Sequence, residues 1–559
     1  MSPRSSFAPR PSRTFASLVA SLLGSLALSV TAGCGSRDAF WNAPPSGNNL
    51  LTWGFPDAVA MYDSGASRLA VVKPNADLTM QTTFVPLEGQ LVSSAVTPVD
   101  GQGHQRLLMV TTPLDPSGAF DDGSVARLIL LDPADPMKPT KVALSRALRG
   151  VSVDPLGAWA VLYATDGSGG GSVVNPNELI LVPLQPGQTG GDIQVRAHTL
   201  RSFGGSPRRF TFTPTLQLPG GAIRLLAVET DKDVALVNLN PEFVNEADLT
   251  VQLTNGVDTR SVSPAGLVYT DGDPAANDDA RLAIRLAGDS SIVVVQLSPA
   301  AGRTYGATIN LVDVGGVPAD AAFVRTDGGA LALAALVPST SSAVLVDPAT
   351  STRVDVALPA PFTSMSLVTS IVNGAPSDAS TPDVALLWSP SVQSVSFWAL
   401  GRAVGKPYRS LESVSLSSRI TDVVDLPAPH QDRKLLVGLQ QSFFLLDLTS
   451  RTVDPFLSGG RKMLRTGVSG LWAWAFAPGD PSFSRLDLAT KHPDDFRLSL
   501  PIDAVYEVAT QPSAAGTGAT HAVLALHQRD NVSVTVLDAD AQGASLGRQN
   551  VVPALFLAR

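Results

Sequence analysis

Beyond residue 50 the chain alternates short apolar, β-branched runs with Gly, Pro, Asp and Asn, and no stretch carries the 3.6-residue periodicity of a three-turn amphipathic helix. One unit recurs: three to five apolar residues, a polar residue or Pro, a turn, then a second short strand. It reads Leu128-Ile-Leu-Leu-Asp132, Ala343-Val-Leu-Val-Asp347-Pro-Ala-Thr, Phe444-Leu-Leu-Asp447-Leu-Thr, Phe483-Ser-Arg-Leu-Asp487-Leu-Ala-Thr and Val534-Thr-Val-Leu-Asp538. Weaker copies centre on Lys73, Pro183, Asn238, Gln296 and Trp398. The ten anchors lie on average about 52 residues apart, close to the period of arrays that stack one four-stranded unit per repeat. Upstream of most anchors stand near-continuous apolar runs, such as Ala158–Tyr163, Ile223–Val228, Ala330–Leu336, Lys434–Leu439 and His521–Leu526. Runs of that kind suit strands buried on both faces, and we assign them to the inner strands of the units.

The pattern predicts an all-β fold, a β-propeller of about 7–10 four-stranded blades over residues 51–559. Propellers usually close with four to eight blades, so eight is the expected number although ten anchors are present. A tandem string of β-sandwich domains would need linkers, and none stands out beyond residues 35–50. The interruptions at 167–177, 271–279 and 373–383 are expected to be loops on the faces of the ring. Val153-Asp154-Pro155-Leu156-Gly157-Ala158-Trp159-Ala160 resembles the hairpin of WD40-like and TolB-like propeller repeats. The segment from Ser342 to Leu358 is similar to the strand–turn–strand of YVTN or lactonase-like propellers. In both, the Asp before the turn is expected to fold its carboxylate onto nearby backbone amides.

The N-terminus is of another kind. Arg4, Arg10 and Arg13 precede an apolar run from Phe15 to Val30, which ends in Thr31-Ala32-Gly33-Cys34. This is the basic, apolar and small-residue order of a secretory signal. With Cys at the cut it resembles the lipobox of bacterial lipoproteins, although Thr31 stands where Leu is usual. The resemblance implies cleavage between Gly33 and Cys34, a diacylglycerol on the Cys34 thiol and acylation of the new amine, a two-chain anchor that holds firmly. The other readings are an ordinary signal peptide with a chance cysteine and an uncleaved anchor, since the apolar run is long enough to span a bilayer. Cys34 is the only cysteine, so the body holds no disulfide and no cysteine-based metal site or nucleophile. The layout is thus a signal at 1–33, lipidated Cys34 with a tether through residue 50, and the propeller at 51–559. Gly35 after the cysteine implies sorting to the outer membrane, facing the periplasm or the cell surface.

Charge narrows the partners. Removing residues 1–33 takes three positive charges from a net −9, leaving −12. An acidic body without a basic stripe excludes nucleic acid as the expected partner. The 32 arginines against eight lysines receive no functional weight, because base composition of the genome produces the same bias.

The candidate chemistry is thin. His104, His198, His430, His492, His521 and His527 form no paired metal motif and read as surface or hairpin residues; His521 and His527, six apart on one strand, would stand about 20 Å apart. Gly543-Ala-Ser-Leu-Gly547 has the letters of a hydrolase elbow, but no histidine follows it, and it reads as a turn. The acidic loop with Asp271, Asp273, Asp278 and Asp279 is a weak candidate for a metal. It lacks the Gly and Glu of a calcium-binding EF-hand, and a solvated turn is the simpler reading. Asp121-Asp122 and Asp494-Asp495 are read the same way. Trp472 and Trp474 share one strand face and are expected to pack between blades, and the tryptophans do not follow the repeat, unlike those of quinoprotein propellers. No cofactor is expected besides the lipid.

The reading that follows is a lipid-anchored, non-catalytic scaffold that binds another envelope protein. An alternative is a lactonase-like envelope hydrolase with a metal at the central channel, to which acids such as Asp231 or Asp327 would contribute. A polysaccharide-binding lipoprotein is a third, weakened by an aromatic content of 6%.

Overall fold

The computed structural model describes residues 50–555 outside the segments 65–66, 88, 101–103, 113–125, 145–147, 166–174, 185–192, 202–204, 241–247, 254–261, 273–279, 301–302, 327–329, 369–370, 373–374, 377–383, 401–408, 440–441, 458–460, 513–517, 529–531, 542–548 and 554. Gly33, Cys34, Asp273, Asp278, Asp279, Asp327, Asp121, Asp122 and the Gly543–Gly547 turn lie outside the described residues.

The described chain is a β-propeller of ten four-stranded blades, not the expected eight. The blades span 50–86, 90–143, 150–199, 207–252, 264–313, 320–357, 364–415, 420–457, 463–502 and 504–552, each antiparallel throughout. Two short hairpins are added: Leu216–Leu218 with Gly221–Ile223, and Ile371–Val372 with Ala375–Pro376. Every one of the ten anchors falls at or immediately after the third strand of its own blade. The anchors thus match the blades one to one, and the usual size range was the wrong guide to the expected eight. The long apolar runs are second strands, such as Trp159–Tyr163, Leu225–Thr230 and Leu331–Val337, rather than the innermost ones.

Burial explains that correction. First strands of successive blades lie against one another around the axis. Their outer side meets the blade and their inner side meets the channel, so Gln90–Val96 and Ser364–Val368 are half-buried along their length. Second and third strands are covered on both faces by the neighbouring blades, so Val59–Asp63 and Asp233–Asn238 are buried throughout and read as unbroken apolar runs. Fourth strands close each blade at the rim and alternate; Arg353–Ala357 is exposed at every second residue.

Ten apolar clusters fill the ten gaps between adjacent blades, so the ring is closed. The seam between the last blade and the first is of the same kind as the rest: Val505's neighbours Ala504 and Tyr506, with Leu524 and Val534, pack on Val59, Met61, Ala70 and Val72. Each fully buried Leu, Ile, Val or Phe stabilises by roughly 1.5–3 kcal/mol, which makes these faces the main source of cohesion. Among the described residues no strand crosses the seam to complete a neighbouring blade. Backbone hydrogen bonds tie it instead, from Ala509 N to Pro56 O (2.7 Å) and from Gln511 N to Pro74 O (2.9 Å).

Arginine rivets the blades together. Arg106, just before the second strand of blade 2, donates to Leu184 O at the third strand of blade 3 (2.5 Å). Arg433 occupies the same position in blade 8 and donates to Leu488 O of blade 9. Arg485 of blade 9 donates to Ala539 O (3.0 Å) and Ala541 O (2.7 Å) of blade 10. A planar guanidinium with several donors suits this bridging of carbonyls better than an ammonium does, which gives the arginine-rich composition a structural use.

Candidate functional site

In a row of four antiparallel strands, the turns joining first to second and third to fourth emerge on one face of the ring. That face carries the recurring turn chemistry of the repeat. Asp347 accepts from the amides of Ala349 (2.8 Å) and Thr350 (3.3 Å), Asp447 from Thr449 (2.9 Å) and Ser450 (2.8 Å), and Asp487 from Ala489 (2.8 Å) and Thr490 (2.9 Å). In each turn the residue four places on, Ser351, Arg451 or Lys491, has a positive φ. The expected folding-back of the Asp is thus present in three identical hairpins. The amides hold the Asp347 carboxyl below the usual carboxylate range. In blade 3, Asp154 is 0% exposed and accepts from Leu156 N (2.9 Å), Ala158 N (3.1 Å) and the Arg224 guanidinium of blade 4 (2.5 Å).

On the same face a cavity of about 430 Å³ opens at the channel mouth beside the closure seam. Its walls come from five successive blades around the ring: Val424 from blade 8, Leu464–Thr466 and Val468 from blade 9, Tyr506 and Glu507 from blade 10, Gly54–Pro56 from blade 1, and Val99 and Gln105 from blade 2. Val99 and Val468 are 51% and 44% exposed, so the rim is apolar.

Tyr506 organises the interior. Its hydroxyl hydrogen-bonds Thr52 Oγ1 at 2.6 Å, and Gly54 lies so close that a Cβ there would come within 2.5 Å of the ring. The Arg465 guanidinium stacks over the ring, 3.9 Å from its centroid. The next residue along, Glu507, points to blade 9, where it accepts from Trp474 Nε1 (2.6 Å) and Ser469 N (3.0 Å). Gly467 stands against that carboxylate; a Cβ would meet Glu507 Oε2 at 2.1 Å. Trp474 is buried between blades 9 and 10 with Trp472 packed on its cluster, as the shared strand face implied.

Among the described residues the sequence-predicted candidates do not assemble into a site. Asp271 accepts from Gln217 N (2.7 Å), Asp231 from Ser206 N (2.7 Å), Asp494 pairs with Arg485 (2.7 Å), and Asp495 accepts from Ser484 Oγ (2.5 Å). Among the described residues no three His, Cys, Asp or Glu side chains cluster as a metal site. His527 is a correction: it is wholly buried, with its ring nitrogens on Pro501 O (2.7 Å) and Thr535 Oγ1 (2.8 Å). His198 is set against Asp248 (2.8 Å) and His521 against Asp540 (3.3 Å). The cavity residues escaped the sequence reading because they are drawn from both ends of the chain. The one local signal was the polar pair Tyr506-Glu507 inside the apolar run Ala504–Ala509.

No protein-family model matches the chain, and no curated protein matches it. Solved structures of other proteins are similar over much of its length. They include dihydro-heme d1 dehydrogenase NirN in complex with DHE, 13% identical over 66% of this chain and 70% of that one, with a TM-score of 0.40. Saccharomyces cerevisiae Sqt1 is 13% identical over 70% and 95%, with a TM-score of 0.38. A eukaryotic initiation factor is 9% identical over 90% and 96%, with a TM-score of 0.42. The fold assignment rests on the ten sheets of this chain.

Proposed function

We propose that the protein is a lipid-anchored envelope scaffold, held to the membrane through Cys34 and binding another envelope protein through its ring, without catalysis of its own. The observation that carries this reading is the lone cysteine at the end of an N-terminal segment that resembles a secretory signal, ahead of a body that is one closed propeller. A rigid ring with variable face loops is a frame for recognition. The described acids singled out from the sequence hold loops and blades together, which favours a scaffold over a hydrolase. The anchor is tested by mass spectrometry of the N-terminal peptide of the mature protein, with fractionation of outer from inner membranes. The expected peptide begins at Cys34, carries diacylglycerol and an acyl chain, and travels with the outer membrane. An unmodified Cys34 or a different N-terminus would overturn the anchor.

A further inference from the structure

We infer that the cavity at the closure seam is a binding site for a carboxylate carried on an apolar body. The cation in it is already placed: the Arg465 guanidinium sits over the Tyr506 ring, 3.9 Å from its centroid, and Tyr506 is itself held by Thr52 and by the close approach of Gly54. Among the described residues Arg465 has no carboxylate within ion-pair distance and rests on the aromatic ring. The nearest acid in the cavity, Glu507, is engaged by Trp474 and Ser469 on its blade 9 side. A contact with the ring face consumes none of the guanidinium's N–H donors, and its fork matches a carboxylate with two parallel hydrogen bonds.

The rest of the lining fixes the other half of the ligand. Phe55, Pro56, Val424 and Leu464 give apolar walls, and Val99 and Val468 an apolar rim. A volume of about 430 Å³ admits a small organic acid or the end of a peptide, within the usual range of ligand pockets. Neutral polar ligands gain little from such walls, and cationic ones meet Arg465. The site also spans the seam, since Pro56 lines it while its carbonyl accepts from Ala509 N. An occupant contacts blades on both sides of the closure and stabilises the ring by mass action.

The inference concerns the cavity alone and stands whether or not the anchor does. It is tested on the purified full chain in detergent by calorimetry and thermal unfolding, using 3-phenylpropionate against 3-phenylpropionamide. A second arm uses an apolar tetrapeptide with a free C-terminus against its C-terminal amide. The expected result is at least tenfold tighter binding of one or both carboxylates than of their amides, with a raised unfolding temperature. Arg465→Gln should remove that preference while Arg465→Lys keeps part of it, the fork being lost but the charge retained. Preference for the peptide alone identifies a chain terminus as the source, and preference for phenylpropionate a free acid. The inference is overturned if carboxylate and amide bind equally, if neither binds at about 10 mM, a level that detects even weak ligands, or if the preference survives in Arg465→Gln. Unaltered circular dichroism of the variants separates loss of the site from loss of the fold.

Discussion

Trp474 of blade 9 donates its indole N–H to the buried carboxylate of Glu507 in blade 10, 2.6 Å away, and the amide of Ser469 donates to the same carboxylate. One side chain thereby ties the second strand and the first turn of one blade to the innermost strand of the next. Glu507→Ala would leave the buried Trp474 donor without a partner, at a cost of about 1–3 kcal/mol, and the half-buried Ser469 amide would add less because water reaches it. Glu507→Gln keeps an acceptor and should cost clearly less. Urea denaturation of the two variants measures the difference; equal losses would show that the two hydrogen bonds are not what the carboxylate contributes.

Asp154 is the stronger case of the same kind, because it is wholly buried and faces the Arg224 guanidinium of the next blade. Removing one partner of a buried pair leaves an uncompensated charge and typically costs 3–5 kcal/mol, so Asp154→Ala should lose about that much. Asp347→Ala, in an exposed hairpin where the carboxylate also accepts from two backbone amides, should lose about 1 kcal/mol or less. The double variant Asp154→Ala, Arg224→Leu should regain part of the loss. A larger loss in the double variant than in the single one would contradict the assignment.

The turn carboxylates set the response to acid. Backbone amides hold Asp347 below the ordinary range, the amide of Gly315 does so for Asp313, and that of Ser482 for Asp480. A carboxylate depressed in the folded state binds fewer protons there than in the unfolded chain, whose value is about 3.9. It contributes stability above that value and loses it as pH falls through the folded one. Glu229 is shifted upward by burial, partly offset by Arg209 and Arg285. It contributes stability below about 4.3 and loses it as pH rises through its raised folded value. The urea midpoint should therefore fall between pH 5 and pH 3, and fall less in Asp347→Asn. Glu229→Gln should raise the midpoint near pH 7 more than near pH 4. An unchanged acid slope in Asp347→Asn would contradict the first expectation.

The three identical hairpins separate backbone strain from side-chain contacts. Ser351 and Arg451 both sit at positive φ (58° and 55°), where a Cβ is strained. Ser351→Gly should therefore stabilise by a few tenths of a kcal/mol, up to about 1, after the entropy of the glycine is set against the relief. Arg451→Gly gains the same relief but loses the ion pair to Glu412 (2.5 Å) and the stack on Phe397 (5.1 Å), and should be neutral or destabilising. Thermal unfolding of the pair checks this; the same sign in both variants would refute it.

How much of this was legible in the sequence follows from range. The third strands announced themselves because strand, Asp and turn are contiguous, and the ten anchors at Lys73 through Asp538 are the ten blades. Inner and second strands were exchanged because apolarity reports burial on two faces, and the innermost strand of a wide ring has one face on the channel. His527 was misplaced for the opposite reason: its partners Pro501 and Thr535 come from other strands, so nothing beside it shows that its ring is satisfied inside the core. The cavity was beyond reach for the same cause. Gly54 and Tyr506 touch across almost the whole chain, and only closure of the ring brings them together.

The measurement that tests the central account most directly is crosslinking mass spectrometry on intact envelopes, comparing the wild-type protein with Cys34→Ser. An anchored scaffold predicts crosslinks from the ring to one membrane protein, lost when Cys34 is replaced. The same crosslinks in Cys34→Ser, or none to any membrane protein in the wild type, would contradict it.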